Sequence, residues 1–177
     1  IKFPDTISST HIGYGSQSGS TGAVNRYNTS LGYESFGSAG AIINGSENNT
    51  AVGWATLKNI TSGSDNVAIG TAALRANTTG DGNIAIGRQA LTGNLSGIRN
   101  IVIGHTSAPA GAEMNENVVI GNFSHAVNEV GGHNTIVGNA SMRYNQTGRE
   151  NVTLGYGAMM GSVVGNNNYN TAIGTGA

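Results

Sequence analysis

Residues 66–74 read Asn66-Val67-Ala68-Ile69-Gly70-Thr71-Ala72-Ala73-Leu74, and the phrase that opens them, Asn-x-x-aliphatic-Gly, recurs along the whole chain. Complete copies begin at Asn28, Asn49, Asn66, Asn83, Asn100, Asn117, Asn134, Asn151 and Asn170, and a degenerate copy runs from Ser9 to Gly13. Six successive intervals between the Gly residues, from Gly53 to Gly155, are 17 residues long. A fixed period of this length indicates a repeat protein whose units stack on one another.

Each unit, which we call a rung, is numbered from its Asn as slot 1, so that the Gly occupies slot 5. Slot 2 is always β-branched and slot 4 is always aliphatic. Residues two apart lie on the same face of a strand, so we expect slots 2 and 4 to point into one buried layer. The predicted core of that layer is Ile69, Ile86, Ile103, Ile120, Val137 and Leu154.

The other slots extend this interpretation. Slot 3 is small and mostly apolar, slot 8 is small, and slot 9 is usually large and apolar apart from Ala108 and His125. We expect a strand near slots 1 to 4, a corner at the Gly, a second short strand near slots 7 to 10, and a polar return through a second Gly. Each rung buries few aliphatic side chains for the backbone it orders. An apolar slot 3 on the outer face would therefore favour packing against another copy of the chain.

All units run in the same direction, so stacking them produces parallel strands about 4.8 Å apart. The predicted fold is all-β, a single-stack parallel β-roll or β-solenoid of about ten rungs. Residues 1–8 are expected to be a lead-in and residues 9–177 the repeat domain of a longer fibre. No window has the apolar period of a helix, and the frequent Gly residues disfavour helical solenoids.

Stacking also accounts for the Asn at slot 1. Identical amides one rung apart can donate to one neighbour and accept from the other, as in cross-β ladders. The predicted ladder consists of Asn49, Asn66, Asn83, Asn100, Asn117, Asn134 and Asn151, and a second one could form at slot 12 from Asn77, Asn94, Asn128 and Asn145. The alternative is that each Asn simply suits a tight turn.

Composition excludes several classes of function. The chain of 177 residues has eight basic and nine acidic residues and no Cys. This balance disfavours nucleic-acid binding, and the lack of Cys removes thiolate metal sites. The four His residues occupy different slots without metal-ligand spacing, so no metal or other cofactor is expected. No apolar stretch approaches the roughly 20 residues that a membrane-spanning helix needs, so direct membrane insertion is not expected.

Catalytic residues are difficult to assemble from this sequence. Asp65 and Glu150 share a slot but lie five rungs apart, and Glu113 with Glu116 more simply form a solvated charged loop. Paired carboxylates at a suitable separation would be needed for glycan cleavage. We therefore expect a protein that is not an enzyme, with no catalytic residues.

Slot 6 follows the Gly corner and varies while its neighbours are constant. It contains several aromatic and hydrogen-bonding side chains, which are common in binding surfaces. The predicted receptor-binding residues are Tyr14, Tyr33, Trp54, Arg88, His105 and Tyr156. The alternative is that they cover the corner or contact a neighbouring subunit. Two return loops, 108–111 and 143–145, are further candidates, because loops on a rigid repeat often carry specificity.

The segments Asn66 to Leu74, Asn83 to Gly87 and Asn49 to Gly53 resemble the head repeats of YadA-like trimeric autotransporter adhesins. They resemble equally the repeats of phage tail fibres and related bacterial fibre proteins. The likeness covers residues 9–177, although the adhesin heads usually repeat at a shorter interval, so only slots 1 to 5 carry over.

The resemblance implies a left-handed β-roll in a homotrimer, located outside the cell on a bacterial surface or a phage tail. It also implies attachment to a glycan or protein receptor on a host or prey cell. One alternative is a structural spacer whose binding tip lies elsewhere, and another is a glycan-processing tail spike. Adhesion by the isolated chain would separate the first alternative from the attachment hypothesis.

Overall fold

The computed structural model describes residues 9–16, 27–37, 45–109, 113–126, 130–144, 147–161 and 168–177. Within these ranges the chain forms twelve strands of three residues each and no helix. The predicted lead-in, residues 1–8, lies outside the described residues. The predicted all-β solenoid is confirmed for the repeat region.

Ten strands form one parallel sheet in chain order, one strand from each copy of the phrase. They are β1 (Thr10–Ile12), β2 (Thr29–Leu31), β3 (Thr50–Val52), β4 (Val67–Ile69), β5 (Ile84–Ile86), β6 (Ile101–Ile103), β8 (Val118–Ile120), β10 (Thr135–Val137), β11 (Val152–Leu154) and β12 (Thr171–Ile173). A second, two-stranded parallel sheet pairs β7 (Glu113–Asn115) with β9 (Val130–Gly132) in the return segment.

The register confirms that equivalent slots stack directly. Ile69 pairs with Ile86, which pairs with Ile103 in the next strand. Gly87 N–H donates to the Ile69 carbonyl at 2.8 Å, so the backbone ladder continues through the corner. Like side chains therefore follow the sheet in single file, as the 17-residue period predicts.

The predicted direction of the side chains is wrong. Slot 3 faces the interior, where Ala68, Ala85 and Val102 are fully buried. Slots 2 and 4 face outward: Ile69, Ile103, Ile120 and Leu154 are 37–48% exposed, and Ile86 and Val137 are half-buried. The interior is narrow, so it accepts the small side chains of slot 3 opposite the large ones of slot 9. The β-branched side chains of slot 2 and the aliphatic side chains of slot 4 are left on the surface.

The hydrophobic core lies between slot 3 and slots 8 and 9. Slot 9 contributes the largest inward side chains, with small slot 8 residues such as Ala73 and Ala90 beside them. The fully buried slot 9 residues include Phe36, Leu57, Leu74, Leu91 and Met142. The core is thus a thin column of large side chains packed against a wall of small ones.

The predicted second strand at slots 7 to 10 is replaced by turns. Slots 7 and 9 adopt left-handed backbone conformations, with φ of 58° at Ala72 and 48° at Leu74. Such conformations cost non-Gly residues roughly 1–2 kcal/mol each. Hydrogen bonds between rungs offset this cost: Ala72 N–H donates to the Trp54 carbonyl at 2.8 Å, and Leu74 N–H to the Ala90 carbonyl at 3.1 Å. The segment at slots 7 to 10 is therefore formed by turns that hydrogen-bond between rungs, and not by a second strand.

Gly70→Ala is expected to destabilise the fold by more than about 3 kcal/mol, because two penalties combine. Gly70 has φ of 117°, and an added Cβ would lie 2.8 Å from the Gly87 carbonyl group, where backbone cannot yield. The matched control is Gly82→Asn, at φ of 66° with only ordinary contacts nearby. Chemical denaturation should show the control within about 1 kcal/mol of wild type. Equal losses for the two variants would contradict this account of the corner.

Candidate functional site

The Asn ladder is present and connects the rungs. Asn66 Nδ2 donates to Asn49 Oδ1 at 3.0 Å and to the Gly80 carbonyl at 2.9 Å. Asn66 Oδ1 accepts from the backbone N–H and Nδ2 of Asn83 at 2.9 and 3.1 Å. Each buried amide thus joins three successive segments and leaves no donor of its side chain unused.

The same pattern extends through all the Asn residues predicted for the ladder, which are almost completely buried. It begins with Asn28 and ends with Asn170. At slot 12, Asn94 Nδ2 donates to Asn77 Oδ1 at 3.1 Å, as the second ladder requires. The other two residues of that ladder, Asn128 and Asn145, lie outside the described residues. The ladders are structural elements that fix the rungs.

Slots 2 and 4 form a continuous exposed surface, which we call the aliphatic face. It runs the length of the sheet, from Ile12, which is 52% exposed, to Ile173, which is 65% exposed. The expectation that slot 3 would form the surface for self-association is wrong, because slot 3 is buried. A regular row of large exposed aliphatic side chains is unusual on a monomeric protein and indicates an interaction site.

Slot 6 lies beside the aliphatic face, just beyond the Gly corner, and its side chains point to solvent. Tyr14, Tyr33, Trp54 and Tyr156 are 46–79% exposed, Arg88 is exposed, and His105 is half-buried. The Tyr14 and Tyr33 rings stack at a centroid distance of 5.5 Å. The slot 6 residues therefore stand in a line, where an extended ligand could reach several of them. Their role in receptor binding remains a prediction.

Four rungs of this edge carry a chain of cationic and aromatic contacts. Arg88 Nη1 lies 2.9 Å from His105 Nε2. The His105 ring meets the Phe123 ring edge-on at 5.1 Å, and the Arg143 guanidinium lies 5.7 Å from the centre of the same ring. Arg143 also lies 5.3 Å from the Tyr144 ring. Sequence reasoning missed Phe123, which lies in slot 7 and is exposed.

Six of the seven described acidic residues, all except Glu34, lie in the return segment of the rungs. Asp65 and Glu150 share their slot with a third acidic residue, Glu116, and the sequence pattern was not used to place Glu116 there. Glu116 forms an ion pair with Arg99 at 3.1 Å, and its second carboxylate oxygen lies 3.1 Å from His133 Nδ1. An open groove of about 150 Å³ lies nearby, lined by Glu113, Asn115, Gly131, Gly132, His133 and Arg149. Glu113 is the one carboxylate among those lining residues, so the groove does not contain the carboxylate pair that glycan cleavage requires.

One His residue, His125, is buried, and another, His11, is half-buried. Burial lowers the pKa of His125, in slot 9, to about 3, and that of His11, in slot 3, to about 4. His11 Nδ1 lies 2.6 Å from Ser30 Oγ, and its ring stacks on Phe36 at 5.7 Å. Both rings replace apolar or small residues of their slots, so their role is packing.

His125→Met is expected to reduce the acid sensitivity of the fold. The folded-state pKa of His125 lies below its unfolded value of about 6.5, so the unfolded chain binds the proton more readily. The contribution of neutral His125 to the free energy of unfolding is therefore fully present above pH 6.5. It is lost as the pH drops toward 3, and the loss is about 2 kcal/mol at pH 5. Met already occupies this slot at Met142. Denaturation at pH 7 and pH 5 should show a smaller loss for the variant, and equal losses would refute the assignment.

The described parts of the chain contain no cluster of His, Cys, Asp or Glu suited to a metal ion. In those same parts, no helix has the length and apolar character needed to cross a membrane. Comparisons with models of protein families, with curated proteins and with solved structures give no match.

Proposed function

We propose that this chain is a non-enzymatic extracellular module that attaches a bacterial surface or a phage tail to a host or prey cell. The observation that carries the proposal is the aliphatic face, which repeats at every rung along the rod. This face is aliphatic at slot 4 of every rung and Val, Ile or Thr at slot 2, and such a repeating row suits a partner surface with the same spacing. A second copy of the chain, aligned along the same axis, has that spacing by construction.

The exposure of this face along the whole sheet suits self-association, and we propose a homotrimer of rigid β-rolls. Copies packed around an axis parallel to the direction in which the rungs stack would bury slots 2 and 4 of every chain. The Asn ladder would be undisturbed, because its side chains are buried within each chain. The number three and a left-handed turn come from the resemblance to adhesin heads and fibre repeats. Three copies would present three identical edges, so weak individual contacts could give strong attachment by avidity.

The slot 6 edge is the proposed contact with a glycan or protein receptor. Its aromatic side chains are exposed and lie in line, which suits stacking on an extended molecule. Beads coated with the isolated chain should adhere to target cells, and Trp54→Ala together with Tyr156→Ala should weaken that adhesion. Adhesion that requires a longer protein would favour the alternative, a structural spacer with its binding tip elsewhere.

The glycan-processing alternative predicts turnover. Incubation of the chain with candidate surface polysaccharides, followed by measurement of new reducing ends, tests it directly. Cleavage that disappears in Glu113→Gln or Glu116→Gln would overturn the non-enzymatic proposal. Light scattering tests the assembly separately, since a trimer has about three times the 17.9 kDa mass of one chain.

A further inference from the structure

Cationic and acidic side chains are distributed unequally between slots 6 to 10 and the return segment of the rungs. Among the described residues, slots 6 to 10 contain four cationic side chains and one carboxylate, that of Glu34. Glu34 is already neutralised by Lys58 at 2.6 Å. The remaining cations of this edge are Arg75, Arg88 and Arg143. The other described acidic residues lie in the return segment, which also contains the cations Arg99 and Arg149.

We propose that this edge, defined by Arg75, Arg88, His105, Phe123 and Arg143 and called the basic edge, binds an anionic polysaccharide. The inference names the ligand class of the proposed attachment surface and therefore rests on the proposed function. Arg88 and Arg143 belong to rungs three apart, so their positions are separated by about 14 Å along the rod. That separation suits a linear polymer with repeated charges better than a single small anion.

The contacts within the basic edge hold its side chains in place. The Arg143 guanidinium lies over the Phe123 ring, 5.7 Å from its centre. The His105 ring contacts the same Phe123 ring edge-on, with 5.1 Å between the ring centres. Arg88 is held by His105 at 2.9 Å. A guanidinium positioned on an aromatic ring loses less freedom when it binds a sulfate or carboxylate. The exposed ring surfaces beside these cations can stack on the apolar faces of sugars.

A pair of polysaccharides that differ only in charge tests the inference. The full chain, immobilised at low density, is expected to bind dextran sulfate and not dextran, with affinity that falls as salt is added. Arg75→Gln/Arg88→Gln/Arg143→Gln should weaken binding to dextran sulfate at least tenfold. The control Arg99→Gln/Arg149→Gln removes cations from the opposite corner and should change binding less than twofold. Equal effects of the two sets would overturn the assignment.

Phe123→Ala should weaken dextran sulfate binding severalfold, because it removes both the stacking surface and the support for Arg143. Duplex DNA serves as a polyanion without sugar faces open to stacking, and equal affinity for DNA would overturn the saccharide assignment. Circular dichroism should show every variant folded, since none of these side chains belongs to the core. If coated beads adhere to cells while dextran sulfate does not bind, this inference fails and the proposed function stands. If neither occurs, both fail.

Discussion

Val102→Asp is expected to unfold the chain, whereas Ile103→Asp, one residue later, is expected to leave the rungs intact and prevent self-association. Val102 is fully buried, and an unpaired carboxylate there costs on the order of 5 kcal/mol, comparable with the stability of a whole domain. Ile103 is 37% exposed in the single chain, and a charge there would stay hydrated until a second copy approached. Circular dichroism and light scattering distinguish the two results.

A folded monomer of Ile103→Asp near 17.9 kDa, against a wild type of about three times that mass, is the expected pair of measurements. A monomeric wild type would overturn the trimer proposal. The inward direction of Val102 and the outward direction of Ile103 can also be checked without adding a charge. The chain has no Cys, so any reaction with a thiol reagent reports on the single introduced Cys. Ile103→Cys should react with a maleimide when the assembly is diluted, and Val102→Cys should stay protected. The reverse pattern would contradict the outward direction of slot 4.

Asn83→Ala is expected to destabilise the fold by about 4 kcal/mol, more than most single substitutions. The change removes Asn83 Oδ1, which accepts from the Asn100 backbone N–H at 3.0 Å and from Asn100 Nδ2 at 2.9 Å, and leaves both buried donors without that partner. Each unsatisfied buried polar group costs about 1–3 kcal/mol. Asn83→Asp should be worse, because a carboxylate would replace the amide donor that faces Asn66 Oδ1 and the Gly97 carbonyl.

Asn59→Ala is the matched control, since Asn59 is an exposed residue in a turn and outside the ladder. Urea denaturation should place this variant within about 0.5 kcal/mol of wild type. If Asn83→Ala is as mild as the control, the ladder is a consequence of stacking and does not stabilise it. Amide hydrogen exchange would then show unchanged protection in the strands β4, β5 and β6.

The repeat arithmetic predicted the stacking in detail. Because the spacing from Asn66 to Asn83 and Asn100 is constant, each Asn had to lie beside the next, and the hydrogen bonds follow from that alignment. The exposed position of Trp54 and the Tyr residues of slot 6 was also predictable, because a variable slot next to constant ones indicates a surface. The lateral contacts of Phe123 with His105 and Arg143 were not, since they join different slots on different rungs.

The sequence by itself determined that the rungs are identical in register, and only the tertiary structure decided which side of each strand is inside. Alternation along a strand separates two faces, but Val67, Ala68 and Ile69 are all apolar, so polarity gives no direction. The direction depends on the left-handed turns at slots 7 and 9, which bring Leu74 and Leu91 close to the sheet and, in those two rungs, leave room opposite them for the small side chains of Ala68 and Ala85. That constraint is a matter of volume across the whole turn, and no local pattern records it.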